Sequence, residues 1–348
     1  MPQILPAFLS CQSTRLSDEE KRLFAKYKPL GVCLFSKFCA NIETRGQVRA
    51  LVQDIKEAIG RDEVLIAVDQ EGGRVRRLTE PEFLPVVAQQ SIKTPTEAKM
   101  HAYLISKDLH DCGINVNFAP VLDKITAKTS QVLQGRCFEE NIAELGRVMA
   151  EEYVKQGICP CVKHMPGHGR AAVDPHLELP QINETIGELE TDFEPFIKLH
   201  DMPMGMVAHI VISELDAENP ATVSPKVIKE IIRNKIGFDG LLVSDAIVMK
   251  ALKGTIAERA QRSIAAGCEV ICLGNADFAA NVELCESNLK ISDKTLERLD
   301  NIGKIIKNNG DFSDYEYVKN KYCAKFNNIV SYDSNYDATE VLNRLRQA

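Results

Sequence analysis

Short runs of apolar and β-branched residues recur along the chain, and segments with helical periodicity separate most of them. The apolar runs are Gln3–Leu9, Gly31–Phe35, Val64–Val68, Ile114–Phe118, Ile158–Val162, Gly205–Ile210, Leu241–Val243 and Val270–Leu273. The helical segments include Glu43–Ile59, Thr96–Asp111, Asn141–Lys155, Pro225–Lys235 and Ile256–Ala266. Strands that are apolar throughout are buried on both faces, so this alternation predicts a parallel sheet covered by helices.

Two α/β architectures fit this alternation, a closed (β/α)8 barrel and a doubly wound open sheet. Polar residues at the strand ends favour the barrel: Asp69 follows Val68, Lys163 follows Val162, and Asp245 lies two residues after Val243. In a barrel all the C-terminal strand ends converge on one face and form one composite site. We therefore predict a single-domain (β/α)8 TIM-type barrel of the α/β class, in which the first strands can be irregular, with a C-terminal helical tail.

The length of the chain fits one barrel. Its 348 residues are enough for one domain of this size or for two smaller ones, but no linker separates a second domain. From Asp277 onward the sequence is helical, and from about Asn308 it becomes rich in Lys, Asn, Asp and Tyr. We predict one barrel domain over residues 1–348, with residues 308–348 as a tail packed on it.

The charge balance argues against a nucleic-acid or membrane partner. The chain carries 42 Lys and Arg against 49 Asp and Glu, a formal net charge of −7. It therefore lacks the basic surplus that draws proteins to phosphate backbones or anionic lipid surfaces. No apolar run approaches the roughly 20 residues that a membrane-spanning helix needs. Trp is absent, so any sugar ligand would be held by hydrogen bonds and charges rather than on an aromatic platform.

The N-terminal residues and the cysteines predict a cytoplasmic protein. The first apolar run has no basic residues before it and is interrupted by Pro6, so it does not fit a secretory signal. The 11 cysteines are scattered along the chain. Their close pairs, Cys159 with Cys161 and Cys268 with Cys272, lack the spacing of a structural zinc site. We expect small buried hydrophobic side chains in a reducing compartment.

The segment 163–180, KHMPGHGRAAVDPHLELP, predicts a loop that carries acid/base chemistry. Its prolines and glycines exclude a regular helix, so His164 and His168, although four residues apart, do not form the usual helical zinc pair. In this interpretation Asp174 and His176, which flank Pro175, would face each other across a turn. A carboxylate bonded to one imidazole nitrogen fixes the tautomer, and the other nitrogen can then transfer a proton. The alternative is a surface loop with incidental histidines.

Three further strand-end features allow more than one interpretation. Asp245 is either a nucleophile or base that points into the site, or a cap for the next helix. The segment 68–78, VDQEGGRVRRL, lacks the glycine spacing of nucleotide-binding loops; its acids and arginines either hold ligand hydroxyls or form surface ion pairs. Lys163 could form a Schiff base, as in an aldolase, or donate hydrogen bonds.

Taken in order, these motifs resemble the family 3 glycoside hydrolases. The sequence segments that carry the resemblance are VDQEGGRVRRL, GINVNFAPVLD, GRCF, KHMPGHG with the downstream DPH, MVAHIV and LLVSDAIVMKAL. They extend from about Pro6 to about Gly274 and are most similar to the single-domain bacterial β-N-acetylglucosaminidases of peptidoglycan recycling. The resemblance implies that the barrel is the catalytic domain of a retaining exo-glycosidase.

The resemblance also implies roles for individual residues. Asp245 would be the nucleophile that forms a covalent glycosyl-enzyme, and His176, oriented by Asp174, would be the acid/base. The implied substrate-binding residues are Asp69, Arg77, Arg136, Lys163 and His164. The implied substrate is a non-reducing terminal N-acetylglucosamine of a muropeptide fragment, GlcNAc-1,6-anhydroMurNAc-peptide, and neither a metal nor a cofactor is expected. We expect the enzyme to be a monomer that acts on this small molecule.

Three residues depart from the pattern of many relatives. Arg170 replaces a small residue or Asp, Pro175 replaces Ser, and Ala246 replaces a second Asp. Arg170 would either reach a substrate carboxylate or lie in solvent. Pro175 and Ala246 keep a second alternative open, a catalytically silent sugar-binding protein.

Overall fold

The computed structural model describes residues 4–36, 40–175 and 178–326. Eight strands form one parallel sheet. They are β1 (Leu5–Ser10), β2 (Pro29–Leu34), β3 (Leu65–Val68), β4 (Val116–Asn117), β5 (Cys159–Met165), β6 (Met204–Val207), β7 (Leu241–Ser244) and β8 (Ile271–Cys272). Each predicted apolar run thus corresponds to a strand, although the observed strands are shorter at several ends.

The sheet closes into a barrel. Its strands follow the order β8, β1, β2, β3, β4, β5, β6, β7, and a parallel bridge between Val243 and Val270 joins the last strand to the first. The register of β1 against β2 shifts between Leu5 and Phe8, which is the irregularity anticipated for the first strands. The predicted (β/α)8 barrel is therefore confirmed.

Side chains alternate between the inside of the barrel and the surrounding helices, as the strand geometry requires. Ala67, Cys161 and Val243 belong to the cluster that fills the barrel, whereas Val68 and Val162 pack outward in the clusters beneath the helices. The barrel is a packed core and not a pore.

Helices cover the outside of the barrel. Their bounds are Asp18–Tyr27, Arg45–Ile59, Pro95–Cys112, Ile142–Lys155, Glu190–Lys198, Ile256–Ala266, Phe278–Glu286, Asp293–Ile306 and Tyr315–Lys325. Local capping fixes several of these bounds. Thr94 and Thr255 each form a capping box with a glutamate three residues later, and Gly113 and Gly267 end their helices in the left-handed conformation.

The helix predicted at Pro225–Lys235 contains a π-helical stretch over Val227–Lys235. Ser224 caps it, because its Oγ accepts a hydrogen bond from Val227 N at 3.2 Å. Gly237 follows with a φ of 75°, and the helix ends just before this left-handed residue.

The C-terminal segment is helical where the structure describes it. Helix Tyr315–Lys325 packs on helix Pro95–Cys112, as expected of a tail attached to the barrel. Residues 327–348 lie outside the described residues, so the predicted extent of the tail and the single domain over residues 1–348 stay predictions. In the part of the chain described, none of the helices combines the length and apolar character needed to cross a membrane.

Candidate active site

A pocket opens at the C-terminal ends of the barrel strands. It encloses about 840 Å³, including open solvent at its mouth, and is lined by six of the eight predicted site residues: Asp69, Arg77, Arg136, Lys163, His164 and Asp245. Strand periodicity explains part of this convergence. Asp69, Lys163 and Asp245 lie two positions after the inward-facing Ala67, Cys161 and Val243, so they continue the inward rows beyond the core. Six of the predicted residues therefore meet in one pocket, and their roles stay predictions.

Lys163 lies at the centre of a buried ion network. Its Nζ is 2.8 Å from Asp69 Oδ1 and 2.5 Å from Glu71 Oε1. Burial opposes the charge on Lys163, but the two carboxylates outweigh burial and raise the pKa of the ammonium group above its ordinary value. Lys163 is therefore a fixed cation and a hydrogen-bond donor, which argues against its use as a Schiff-base nucleophile.

Glu71 joins this network to Arg136 in a bidentate ion pair. Arg136 Nε and Nη2 donate to the two carboxylate oxygens of Glu71, each at 2.8 Å. Burial opposes ionisation of Glu71, but Arg136 and Lys163 hold the pKa of its carboxyl well below the usual range. Arg77 joins the same network through Asp69, because its Nη2 lies 3.7 Å from Asp69 Oδ2. The network fixes three cations around one side of the pocket.

A buried aspartate orients His164. Asp123 Oδ2 lies 2.6 Å from His164 Nδ1, and Asp123 Oδ1 accepts a hydrogen bond from the backbone N of His168 at 2.7 Å. Burial raises the pKa of Asp123, but the two histidines outweigh that effect and lower it. His164 Nδ1 is thus the donor to Asp123, and Nε2, 3.4 Å from Arg136 Nη2, faces the pocket as an acceptor.

Asp245 follows directly on β7, and backbone contacts fix its position. Its N–H donates to Val207 O on β6 at 3.0 Å, and its Oδ1 accepts from Ala246 N at 2.7 Å. His209, fully buried after β6, lies with Nε2 3.1 Å from Ala246 O. The carboxylate is held at the rim of the packed core, 9% exposed and facing the pocket.

The first half of the loop 163–180 is pinned to the neighbouring segment. Gly169 approaches so closely that a Cβ there would lie 1.8 Å from Lys124 O, so only glycine fits. Ser130 N donates to Ala171 O at 2.9 Å, and Val211 N donates to Pro180 O at 2.9 Å. A small parallel sheet of Gln181–Ile182 with Val211–Ile212 follows the loop.

The predicted acid/base pair is described only in part. Asp174 is buried, 5% exposed, and the adjacent Pro175 lines the pocket. His176 lies outside the described residues. Arg170 is only partly exposed: its Nε donates to Asp192 Oδ2 at 3.0 Å and its Nη2 to Glu188 O at 3.0 Å. These bonds attach the loop to helix Glu190–Lys198 and the turn before it, and Arg170 does not line the pocket.

Three buried residues of the site were absent from the predicted set. Glu71 and Asp123 carry the two carboxylates that hold the pocket-lining cations and His164, and both were visible only as acids near strand ends. His168 lines the pocket, and neither of its ring nitrogens has a hydrogen-bond partner among the described residues. Burial lowers the pKa of His168 to about 4. In the described ranges no three His, Cys, Asp or Glu side chains converge on a common metal position.

Comparison with known proteins places this geometry in a family. Residues 5–305 match the model of the glycosyl hydrolase family 3 N terminal domain. The chain belongs to glycosyl hydrolase family 3. The resemblance inferred from the motifs is thereby confirmed, and with it the prediction of a glycoside hydrolase.

Relatives of this family 3 chain include two curated β-hexosaminidases. That of Bordetella avium is 34% identical over 287 residues, which cover 78% of this chain and 80% of the relative. That of Alkalilimnicola ehrlichii is 36% identical over 286 residues, with 78% and 80% covered. The fold agrees with the crystal structure of NagZ from Neisseria gonorrhoeae in complex with N-trifluoroacetyl-D-glucosamine. The TM-score is 0.81 at 28% identity, and the alignment covers 93% of this chain and 99% of that chain.

Proposed function

We propose that this family 3 enzyme is a retaining exo-β-N-acetylglucosaminidase. The observation that carries the proposal is the meeting of Asp245 with Asp69, Lys163, His164 and Arg136 in one pocket. The pocket offers a carboxylate together with donors and acceptors for sugar hydroxyls. The curated relatives named β-hexosaminidase and the neighbour bound to N-trifluoroacetyl-D-glucosamine support an N-acetylhexosamine as the sugar.

In the first step Asp245 attacks the anomeric carbon. A bond forms between its carboxylate oxygen and C1, while the bond from C1 to the leaving oxygen breaks. The hydrogen bond from Ala246 N to Asp245 Oδ1 holds the carboxylate in one orientation, which limits the reorganisation needed for attack. The product of this step is a glycosyl ester with inverted configuration at C1.

His176 supplies the proton that the leaving oxygen needs, and in the second step it removes a proton from the attacking water. The second displacement restores the β configuration and frees Asp245. The buried Asp174 would fix the tautomer of His176, as carboxylates do for catalytic histidines. A histidine in this role titrates near neutral pH and adds no second anion beside the nucleophile.

Asp69, Arg77, Arg136, Lys163 and His164 would bind the sugar. Arg136 and Lys163 are held by Glu71, so their remaining N–H groups are pre-oriented donors. His164 Nε2 is an acceptor fixed by Asp123. Rigid groups of this kind bind a sugar hydroxyl without a large loss of side-chain entropy.

The natural substrate that we propose is a muropeptide fragment, GlcNAc-1,6-anhydroMurNAc-peptide, hydrolysed in the cytoplasm by a monomer. The cysteines support a reducing compartment. All ten that the structure describes are free thiols, and nine of them are buried. Burial raises the pKa of thiols such as Cys159 and Cys161 above the ordinary value, so these are packing residues and not reactive groups.

One assay tests the activity. Purified enzyme is given p-nitrophenyl N-acetyl-β-glucosaminide or p-nitrophenyl β-glucoside, and NMR follows the configuration of the first product. We expect hydrolysis of the N-acetylated sugar with initial release of the β anomer. Asp245→Asn should abolish turnover, while Asp239→Asn, a surface change two residues before the strand that Asp245 follows, should leave it intact. Initial release of the α anomer, or full activity of Asp245→Asn, would contradict the mechanism.

A further inference from the structure

The C-terminal helix contributes a buried side chain to the support of the pocket. Helix Tyr315–Lys325 begins after residue 305, where the match to the family model ends. Most of its residues are exposed or half-buried, but Tyr322 is 2% exposed. Its ring packs near His101 of helix Pro95–Cys112, with 6.0 Å between the ring centroids.

A chain of hydrogen bonds connects Tyr322 to the pocket. Val87 N donates to the Tyr322 hydroxyl at 3.0 Å, and that hydroxyl lies 2.8 Å from His101 Nδ1. His101 Nε2 lies 3.0 Å from Glu71 O. The four groups belong to four separate segments of the chain, which meet only in the folded protein.

The direction of this chain follows from its chemistry. Burial lowers the pKa of His101 to about 4, so the ring is neutral at neutral pH and carries one proton. Glu71 O can only accept a hydrogen bond, so the proton is on Nε2. Nδ1 is then an acceptor, and the Tyr322 hydroxyl donates to it. Each of these contacts therefore pairs one donor with one acceptor.

Glu71 is the residue through which this chain reaches the pocket. Its backbone carbonyl receives the bond from His101, and its carboxylate binds Arg136 and Lys163. The next residue, Gly72, lies against the same imidazole: a Cβ at Gly72 would be 2.8 Å from His101 Cε1. The ring of His101 therefore restricts the position of the Glu71 backbone. The position of Glu71 in turn determines where Arg136 and Lys163 lie.

We infer that Tyr322 is a positioning residue of the active site, acting through His101 and Glu71 on Lys163 and Arg136. The inference rests on the proposed function, which assigns sugar binding to those two cations. It gives the C-terminal helix a specific role: the helix holds the sugar-binding side chains of the pocket in position. This helix lies outside the part of the chain that matches the family model.

The test compares two removals of a single hydroxyl from the same helix. Tyr322→Phe removes the buried hydroxyl, and Tyr317→Phe removes one from a side chain that is 61% exposed. KM and kcat are measured with p-nitrophenyl N-acetyl-β-glucosaminide well below the unfolding temperature of each variant. We expect Tyr322→Phe to raise KM by about threefold to tenfold, the effect of a weakened hydrogen bond or two, with kcat changed by less than about twofold. Tyr317→Phe should match the wild type.

A raised KM with a nearly constant kcat distinguishes a positioning role from a structural role. A merely structural role would lower the fraction of folded enzyme, so kcat would fall and KM would stay constant. A second variant, His101→Gln, should raise KM by a similar factor, and the double variant Tyr322→Phe/His101→Gln should show less than the product of the two effects. An unchanged KM in Tyr322→Phe would overturn this inference but not the proposed function. The same holds if the rise in KM of the double variant equals the product of the two single effects. A wild type that does not hydrolyse the substrate would overturn the proposed function as well.

Discussion

Glu71 and Lys163 form an ion pair in which both side chains are almost fully buried, with Glu71 Oε1 2.5 Å from Lys163 Nζ. Because Glu71 also holds Arg136, two cations share its single negative charge inside the barrel mouth. Loss of one partner from a buried pair leaves an uncompensated charge in a poorly solvated site.

We therefore expect Glu71→Gln to lower the free energy of unfolding by about 3 kcal/mol or more and to reduce kcat/KM. Urea unfolding and aryl-glycoside kinetics measure the two effects. Glu80→Gln is the matched control, because Glu80 pairs with Arg76 at the surface and its side chain is 42% exposed. That change should alter the stability by at most about 1 kcal/mol. Equal losses in the two variants would contradict the role given to Glu71.

The sequence predicted the barrel because its strands are short, apolar on both faces and followed by polar residues. The alternation from Val243 in β7 to Asp245 directly after it is a local property that can be read from residue order. Helix Glu190–Lys198 was missed because Pro195 lies inside it. Helix Asp18–Tyr27 was missed because its sequence, DEEKRLFAKY, is short and strongly charged, with few apolar residues.

The partners within the site could not be predicted, since they depend on which strand ends face each other. Glu71 and Arg136 are 65 residues apart in the chain, and His164 and Asp123 are 41 apart. No local pattern reports such pairs. The ion pair of Arg170 with Asp192 could not be predicted for the same reason, because Asp192 lies on a helix that the sequence did not reveal.

Arg170 provides a second prediction. Its side chain is 22% exposed, whereas that of Asp192 is 3% exposed. The buried carboxylate of Asp192 therefore depends on Arg170 to compensate its negative charge. Burial raises the pKa of Asp192 and Arg170 opposes that rise. In Arg170→Gln the pKa of Asp192 should therefore rise further, above its value in the unfolded chain. The protonated form then stabilises the fold at low pH, and this contribution is lost as the pH rises.

Arg170→Gln should consequently destabilise the enzyme by about 2 kcal/mol at pH 8 and by less at pH 5. Addition of Asp192→Asn to this variant should recover most of the loss at pH 8. Unfolding in urea at the two pH values measures both. If Arg170 instead bound a carboxylate of the substrate, its replacement would raise KM for a peptide-bearing substrate and leave KM for the aryl glycoside unchanged.

Two buried histidines predict how the stability depends on pH. Burial lowers the pKa values of His101 and His168 to about 4, against roughly 6.5 in an unfolded chain. Between these values the unfolded state binds more protons than the folded state, so the contribution of the two histidines to stability rises with pH up to about 6.5 and is constant above it. Each histidine contributes on the order of 3 kcal/mol across this window.

The enzyme should therefore begin to lose stability as the pH falls below about 6.5, before most carboxylates titrate. His168→Phe should remove part of this dependence while leaving the stability at pH 8 unchanged or higher, because the ring nitrogens of His168 have no partner among the described residues. Urea unfolding at several pH values measures the slope. A slope that is the same in this variant and the wild type would show that His168 does not carry it.

The final prediction concerns His176 and follows from acid catalysis. A poor leaving group such as an alkoxide needs a proton as its bond to C1 breaks, whereas p-nitrophenolate does not. We expect His176→Ala to reduce kcat/KM for a β-linked disaccharide by about 10²-fold to 10⁴-fold, the usual contribution of a general acid. The loss with the p-nitrophenyl glycoside should be far smaller.

The second chemical step offers an independent check on the same variant. Without His176, water lacks a base and the glycosyl-enzyme on Asp245 should accumulate with the activated substrate. Azide needs no deprotonation, so it should restore turnover and yield a β-glycosyl azide, which NMR identifies. His200→Ala, a change at an exposed histidine, should behave like the wild type with both substrates. Equal losses for good and poor leaving groups, without rescue by azide, would show that His176 supports the structure of the loop and does not transfer the proton.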